Sequence, residues 1–122
     1  MARKSNEPSA EDVSRQIAAA RDELEQIAAR RAALGFAEED AEDDMRKRIR
    51  SVDRMRDFWQ GSGADRFAIQ EADECRETHH QLLRAANNVR EDITFETEHL
   101  QRRQEALQED FERLTQKEEQ NV

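Results

Sequence analysis

The sequence predicts an all-α protein, an antiparallel two-helix hairpin of coiled-coil character, on three observations. Gly is 3 and Pro is 1 among 122 residues, while Ala, Glu, Arg, Gln and Leu dominate; these are good helix formers. Two long runs carry apolar residues at alternating spacings of three and four, the pattern of a helix with one apolar face. Between the runs lies DFWQGSGADRF, residues 57–67, which holds the only tryptophan and two of the three glycines.

Composition narrows the class further. Hydrophobic residues are 35% and charged residues 40%, against roughly 45–50% and 25% in ordinary globular domains. That balance cannot fill a multilayer core, but it suits long helices that bury a single stripe. The net charge of -9 argues against general nucleic-acid binding, which needs a basic surface to displace counterions. It also disfavours docking to anionic membranes. No apolar run approaches the roughly 20 residues of a membrane span, so no membrane insertion is expected. MARKSNEPSAED has a basic start without an apolar segment behind it, which predicts no cleaved signal peptide. The expected location is the cytoplasm, and any export would use a route without such a signal. Cys75 is the single cysteine and excludes an internal disulfide.

Residues 1–8 read as a tail ending at Pro8, and residues 119–122 as a frayed end. Ser9-Ala-Glu-Asp12 supplies a helix start, with a hydroxyl for the orphan amides and carboxylates in the positive first turn. The first helix is expected over 9–58 with the seam Val13, Ile17, Ala20, Leu24, Ile27, Arg31, Leu34, Glu38, Ala41, Met45, Arg48, Val52, Met55 and Trp59. Gly35 sits inside it, where a kink or break is an open alternative to one continuous helix. The turn is placed at 60–63. The second helix is expected over 64–118 with the seam Ala68, Ala72, Cys75, His79, Leu82, Ala86, Val89, Ile93, Glu96, Leu100, Arg103, Leu107, Asp110 and Leu114. Each helix is about 50 residues and about 70 Å long, and the short connection makes each the natural cover of the other.

Setting Trp59 opposite Ala68 and counting back along both seams places Val52 against Cys75, Met45 against Leu82 and Leu34 against Ile93. The same register sets Arg31 against Glu96, a polar layer that would fix the pairing at some cost in stability. At the tip, Trp59 is expected to fill the gap between the diverging helices, beside Phe58, Phe67 and Ala68. Gly61 and Gly63 would supply the backbone angles of the reversal.

Several residues carry a second reading. Cys75 and His79 have the spacing of two metal ligands on one helix face. No second ligand pair accompanies them, so they are taken as core residues, with no metal and no cofactor. Glu38, Glu39, Asp40, Glu42, Asp43 and Asp44 are followed by Arg46, Lys47, Arg48, Arg50, Arg54 and Arg56. These blocks form either a dipolar docking patch or a solvated ladder of pairs such as Glu42–Arg46 and Asp43–Lys47. Phe36, Ile49, Phe58, Ile69, Leu83, Phe95 and Phe111 lie outside the seams, and a lone hairpin has no third layer to cover them. They predict association, either a homodimer forming a four-helix bundle or a bundle completed with another protein's helices. Phe95, Leu107 and Phe111 are the expected partner face. Nothing resembles a catalytic motif, so no enzyme is expected.

Trp59-Gln60-Gly61 between two helices, followed by Ala64 and Phe67, resembles the W-x-G turn of the WXG-motif family. Those are small helical-hairpin proteins handled by type VII secretion systems, exported folded as helical pairs or acting as partners of larger effectors. The close match covers the tip, and the hairpin layout covers most of the chain. The family's Y-x-x-x-D/E export signal after the second helix has no counterpart, because the chain has no tyrosine. Phe67-Ala-Ile-Gln-Glu71 and Phe36-Ala-Glu-Glu-Asp40 have the spacing, but neither is C-terminal. The resemblance therefore implies an export signal on a partner, as in the accessory proteins of LXG-type toxins. Its turn residues would be Trp59, Gly61, Gly63 and Phe67. The function it implies is a non-catalytic partner or targeting protein that binds the helices of an LXG-type toxin's N-terminal region or of a WXG-like sibling. The alternative from another class is a self-assembling structural coiled coil with no role in secretion.

Overall fold

The computed structural model describes residues 7–59 and 61–121. The chain is an all-α helical hairpin in which α1, Ala10–Phe58, and α2, Ser62–Gln120, pack against one another. No strand occurs among the described residues. Helix α1 runs through Gly35 without interruption, so its good helix formers outweigh the glycine's cost of about 1 kcal/mol. Helix α2 begins two residues before the expected position and continues past Leu114 to Gln120.

Ser9 and Asp12 form a reciprocal cap at the start of α1. The Asp12 amide donates to Ser9 Oγ at 3.1 Å, and the Ser9 amide donates to Asp12 Oδ2 at 3.3 Å. A third orphan donor, the Ala10 amide, reaches Glu118 Oε1 of α2 at 3.3 Å. Glu7 belongs to the expected tail, yet it bonds Arg113 and, at 3.2 Å, Lys117. The Arg113 hydrogen bond, seconded by that of Lys117, holds the Glu7 carboxyl below its usual range. A lowered carboxyl favours the folded state above the unfolded value, and that contribution is lost as pH falls through the folded one.

The hairpin divides into two compact units, one formed by the chain up to Arg30 with the chain from Ile93 onward, the other by Arg31–Asp92. The first unit has an aliphatic interior. Val13, Ile17, Leu107 and Leu114 cluster with Ala10, and Phe111 packs against them. Ala20, Ile27, Ile93 and Leu100 are also buried. On α2 the inward stripe is Ile93, Thr97, Leu100, Gln104, Leu107, Phe111 and Leu114. The expected seam had Glu96, Arg103 and Asp110 in place of Thr97, Gln104 and Phe111. The observed phase wins because it leaves those three charges in water and takes in a phenyl ring instead. Thr97 settles its hydroxyl on the Ile93 carbonyl at 2.8 Å. Glu96, on the rim, pairs with Arg30 at 2.7 Å. The anticipated ionic layer thus involves Arg30 next to Arg31, at an exposed site where such a pair contributes about 0–1 kcal/mol.

The second unit has a thinner interior. Its buried residues are Ala64, Ala68 and Ala86. Leu34, Met45, Ile49, Val52, Cys75, His79 and Leu83 are only half-buried. Here too the phase shifts, with Ile49 and Arg56 inward of Arg48 and Met55, and Leu83 inward of Leu82. A charged pair, Arg90 with Glu38, lies in the seam of this unit.

The stripe phase is directly testable. Phe111→Ala should cost about 2–3 kcal/mol in denaturant unfolding, as expected for removing a ring from a packed site. Val89→Ala, at a seam position of the expected register but 47% exposed, should stay within about 0.5 kcal/mol of the parent. Equal costs at the two sites would contradict the observed phase.

Candidate functional site

The turn is built from very few residues. Helix α1 ends at Phe58 and α2 starts at Ser62; Gln60, in the middle of the W-x-G motif, lies outside the described residues. The Trp59 amide still donates to the Met55 carbonyl at 2.9 Å, and the Asp65 amide to the Gly61 carbonyl at 3.3 Å. Gly61 adopts φ 130°, a region that side-chain-bearing residues rarely enter. Gly63 lies inside α2 with no such angle, so the reversal uses one glycine and not the expected two. Arg56 and Asp65 form an ion pair at 3.0 Å that ties the end of α1 to the start of α2.

Trp59 does not fill the core at the tip. The residue is 57% exposed, and it meets Phe67 edge to face with ring centroids 6.0 Å apart. Such a pair contributes about 0.5–1.5 kcal/mol beyond its buried area. The small side chains Ala64 and Ala68 are the buried residues here. The consequence is an outward apolar surface. Phe58 is 91% exposed, and Met55, Phe67 and Ile69 are also exposed. Monomeric proteins seldom leave so many large apolar side chains wet within one short segment, and such patches mark association sites.

The three expected partner-face residues separate. Leu107 is buried and Phe111 is packed against the same cluster, so both are taken up by the first unit's own interior. The phase of α2 turns them inward. Phe95 is 72% exposed and stands alone on its unit as a large exposed hydrophobic among the described residues. The sequence signal for this division was present. Thr97, Gln104 and Phe111 share a stripe free of charge, whereas Glu96, Arg103 and Asp110 do not.

Cys75 and His79 both line one open groove of the second unit. Among the described residues no group of three or more His, Cys, Asp or Glu side chains is placed to hold a metal ion. No helix among them is long and apolar enough to cross a membrane. The described residues around the turn present Phe58, Trp59 and Phe67 to solvent, with exposed Arg54, Asp57 and Arg66 nearby in the sequence.

Three glycine substitutions test how the tip is held. Gly35→Ala, within α1 where an added Cβ meets nothing within 4 Å, should raise stability by about 0.5–1 kcal/mol. Gly63→Ala should give a smaller gain near the helix start. Gly61→Ala should cost about 1–3 kcal/mol through backbone strain; calorimetric unfolding separates the signs, and a gain at Gly61 would contradict the turn geometry. Comparison of the sequence and structure with protein-family models, curated proteins and solved structures returns no match.

Proposed function

We infer that the chain is a non-catalytic helical partner in bacterial type VII secretion, engaging the helical region of an exported effector or a WXG-like sibling through its tip. The observation that carries this reading is the W-x-G turn that leaves Phe58 and Trp59 in solvent beside Phe67. A tryptophan needed only to close a core would be covered. One held on the outside of a tight, ion-paired turn is preorganised for a partner, and aromatic anchors of this kind dominate protein interfaces. Phe95 is a second contact point on the other unit. On this reading the export address lies on the partner, and this chain covers apolar helices of that partner.

Co-expression with the helical N-terminal region of an LXG-type toxin should yield a complex on gel filtration. Changing Phe58 and Trp59 together to Ala should weaken that complex at least tenfold, the scale of an interface hot spot worth about 2 kcal/mol, with helicity unchanged by circular dichroism. An undiminished complex in the double variant would overturn the role of the tip. A chain that forms ordered polymers alone and binds no such helical region would favour a structural coiled coil.

A further inference from the structure

The segment ahead of α1 crosses to the far end of α2. Glu7 accepts a hydrogen bond from Arg113 on one carboxylate oxygen and, at 3.2 Å, one from Lys117 Nζ on the other. Arg113 and Lys117 are one helical turn apart, so their charged heads share a face of α2 and a single carboxylate takes both. A third crossing bond runs from the Ala10 amide to Glu118 Oε1 at 3.3 Å. Residues 7–9 are not helical, yet the Glu7 side chain is only 25% exposed, against 56% for Arg113 and 59% for Lys117.

These bonds lie where the aliphatic cluster reaches the open end of the hairpin. Leu114, between the two cations in sequence, is buried in that cluster with Ala10 and Val13, and Phe111 packs against it. Terminal turns of helices open most readily, and α1 begins and α2 ends close to these contacts. Arg113 also has Asp110 at 3.7 Å on its own helix. On the first turn of α1, Arg15 is held by Glu11 at 2.9 Å and Asp12 at 3.9 Å. Release of Glu7 therefore leaves Arg113 with a carboxylate and Lys117 with water, and strands no buried charge.

We propose that Glu7 is an acid-released latch: its carboxylate fastens residues 7–9 across the last turns of α2 and keeps the end of the aliphatic cluster shut, and its protonation lets that end open. A neutral carboxyl gives up the two charge-assisted bonds that the anion accepts. The Arg113 bond first, and then that of Lys117, hold the Glu7 carboxyl below its ordinary range. The latch is therefore fully fastened above that range and is lost as pH falls through the lowered value. Neither the tip nor the secretion reading enters this inference.

Amide hydrogen exchange on the full chain, corrected at each pH for the unfolded rate, tests the latch. Acid also reaches Glu11, Asp12, Asp110 and Glu118, so parent and Glu7→Gln are compared at every pH. In neutral buffer the variant should lose at least about threefold protection over residues 113–118, the scale of charge-assisted bonds at a partly exposed site, with residues 64–67 unchanged. Acidification should close the gap between the two proteins. Arg113→Gln with Lys117→Gln should reproduce the loss, and adding Glu7→Gln to that pair should cost nothing further. Equal protection in neutral buffer, a loss of the same size at residues 64–67, a gap that persists in acid, or a further loss in the triple variant would each overturn the proposal.

Discussion

A pair of helices has one shared face, and the side chains that occupy it decide the rest of this molecule. Burial of one stripe supplies most of the stability of a long amphipathic helix, because propensity and surface ion pairs contribute only tenths of a kcal/mol each. In the first unit the stripe is filled by Val13, Ile17, Leu107 and Leu114 with Phe111 against them. The second unit sets alanines, half-buried Met45 and Val52, and the Glu38–Arg90 pair along the corresponding face. The two units therefore differ in how much apolar surface they still present to water.

That difference separates a filled interior from exposed apolar surface. The aliphatic unit holds its helices together through its own interior and keeps Phe95 as its exposed ring. The thinner unit carries the aromatic tip and the open groove. Ala64 and Ala68 at the start of α2 are buried, and the tryptophan lies outside against Phe67. Rigid aromatic side chains on a short turn lose little freedom on binding, which favours affinity over adaptability.

Much of the fold was legible in the sequence. Helix formers without prolines, two runs of three-four spacing and a glycine cluster between them point to a hairpin, and α1 ends at the expected Phe58. The phase of the seam was less legible. Spacings of three-then-four and four-then-three share Ile93, Leu100, Leu107 and Leu114, and differ only at the intervening positions. Desolvation decides between them, and it favours Thr97, Gln104 and Phe111 over three charged residues. Arg56 runs against that rule, because its guanidinium finds Asp65 across the turn, a pairing that no local pattern announces. The exposure of Trp59 was hidden for a similar reason: the three-four spacing puts it in the seam, yet the buried positions at the tip are Ala64 and Ala68.

The central claim is that the stripe phase of α2 takes Phe111 inward and leaves Phe58 and Phe95 in water. Uniform fluorine labelling of the five phenylalanines, with line broadening by a dissolved paramagnetic probe, measures this in one spectrum. The account predicts that Phe111 broadens least, and Phe58 and Phe95 most strongly. A well-shielded Phe58 or Phe95 beside a strongly broadened Phe111 would contradict it.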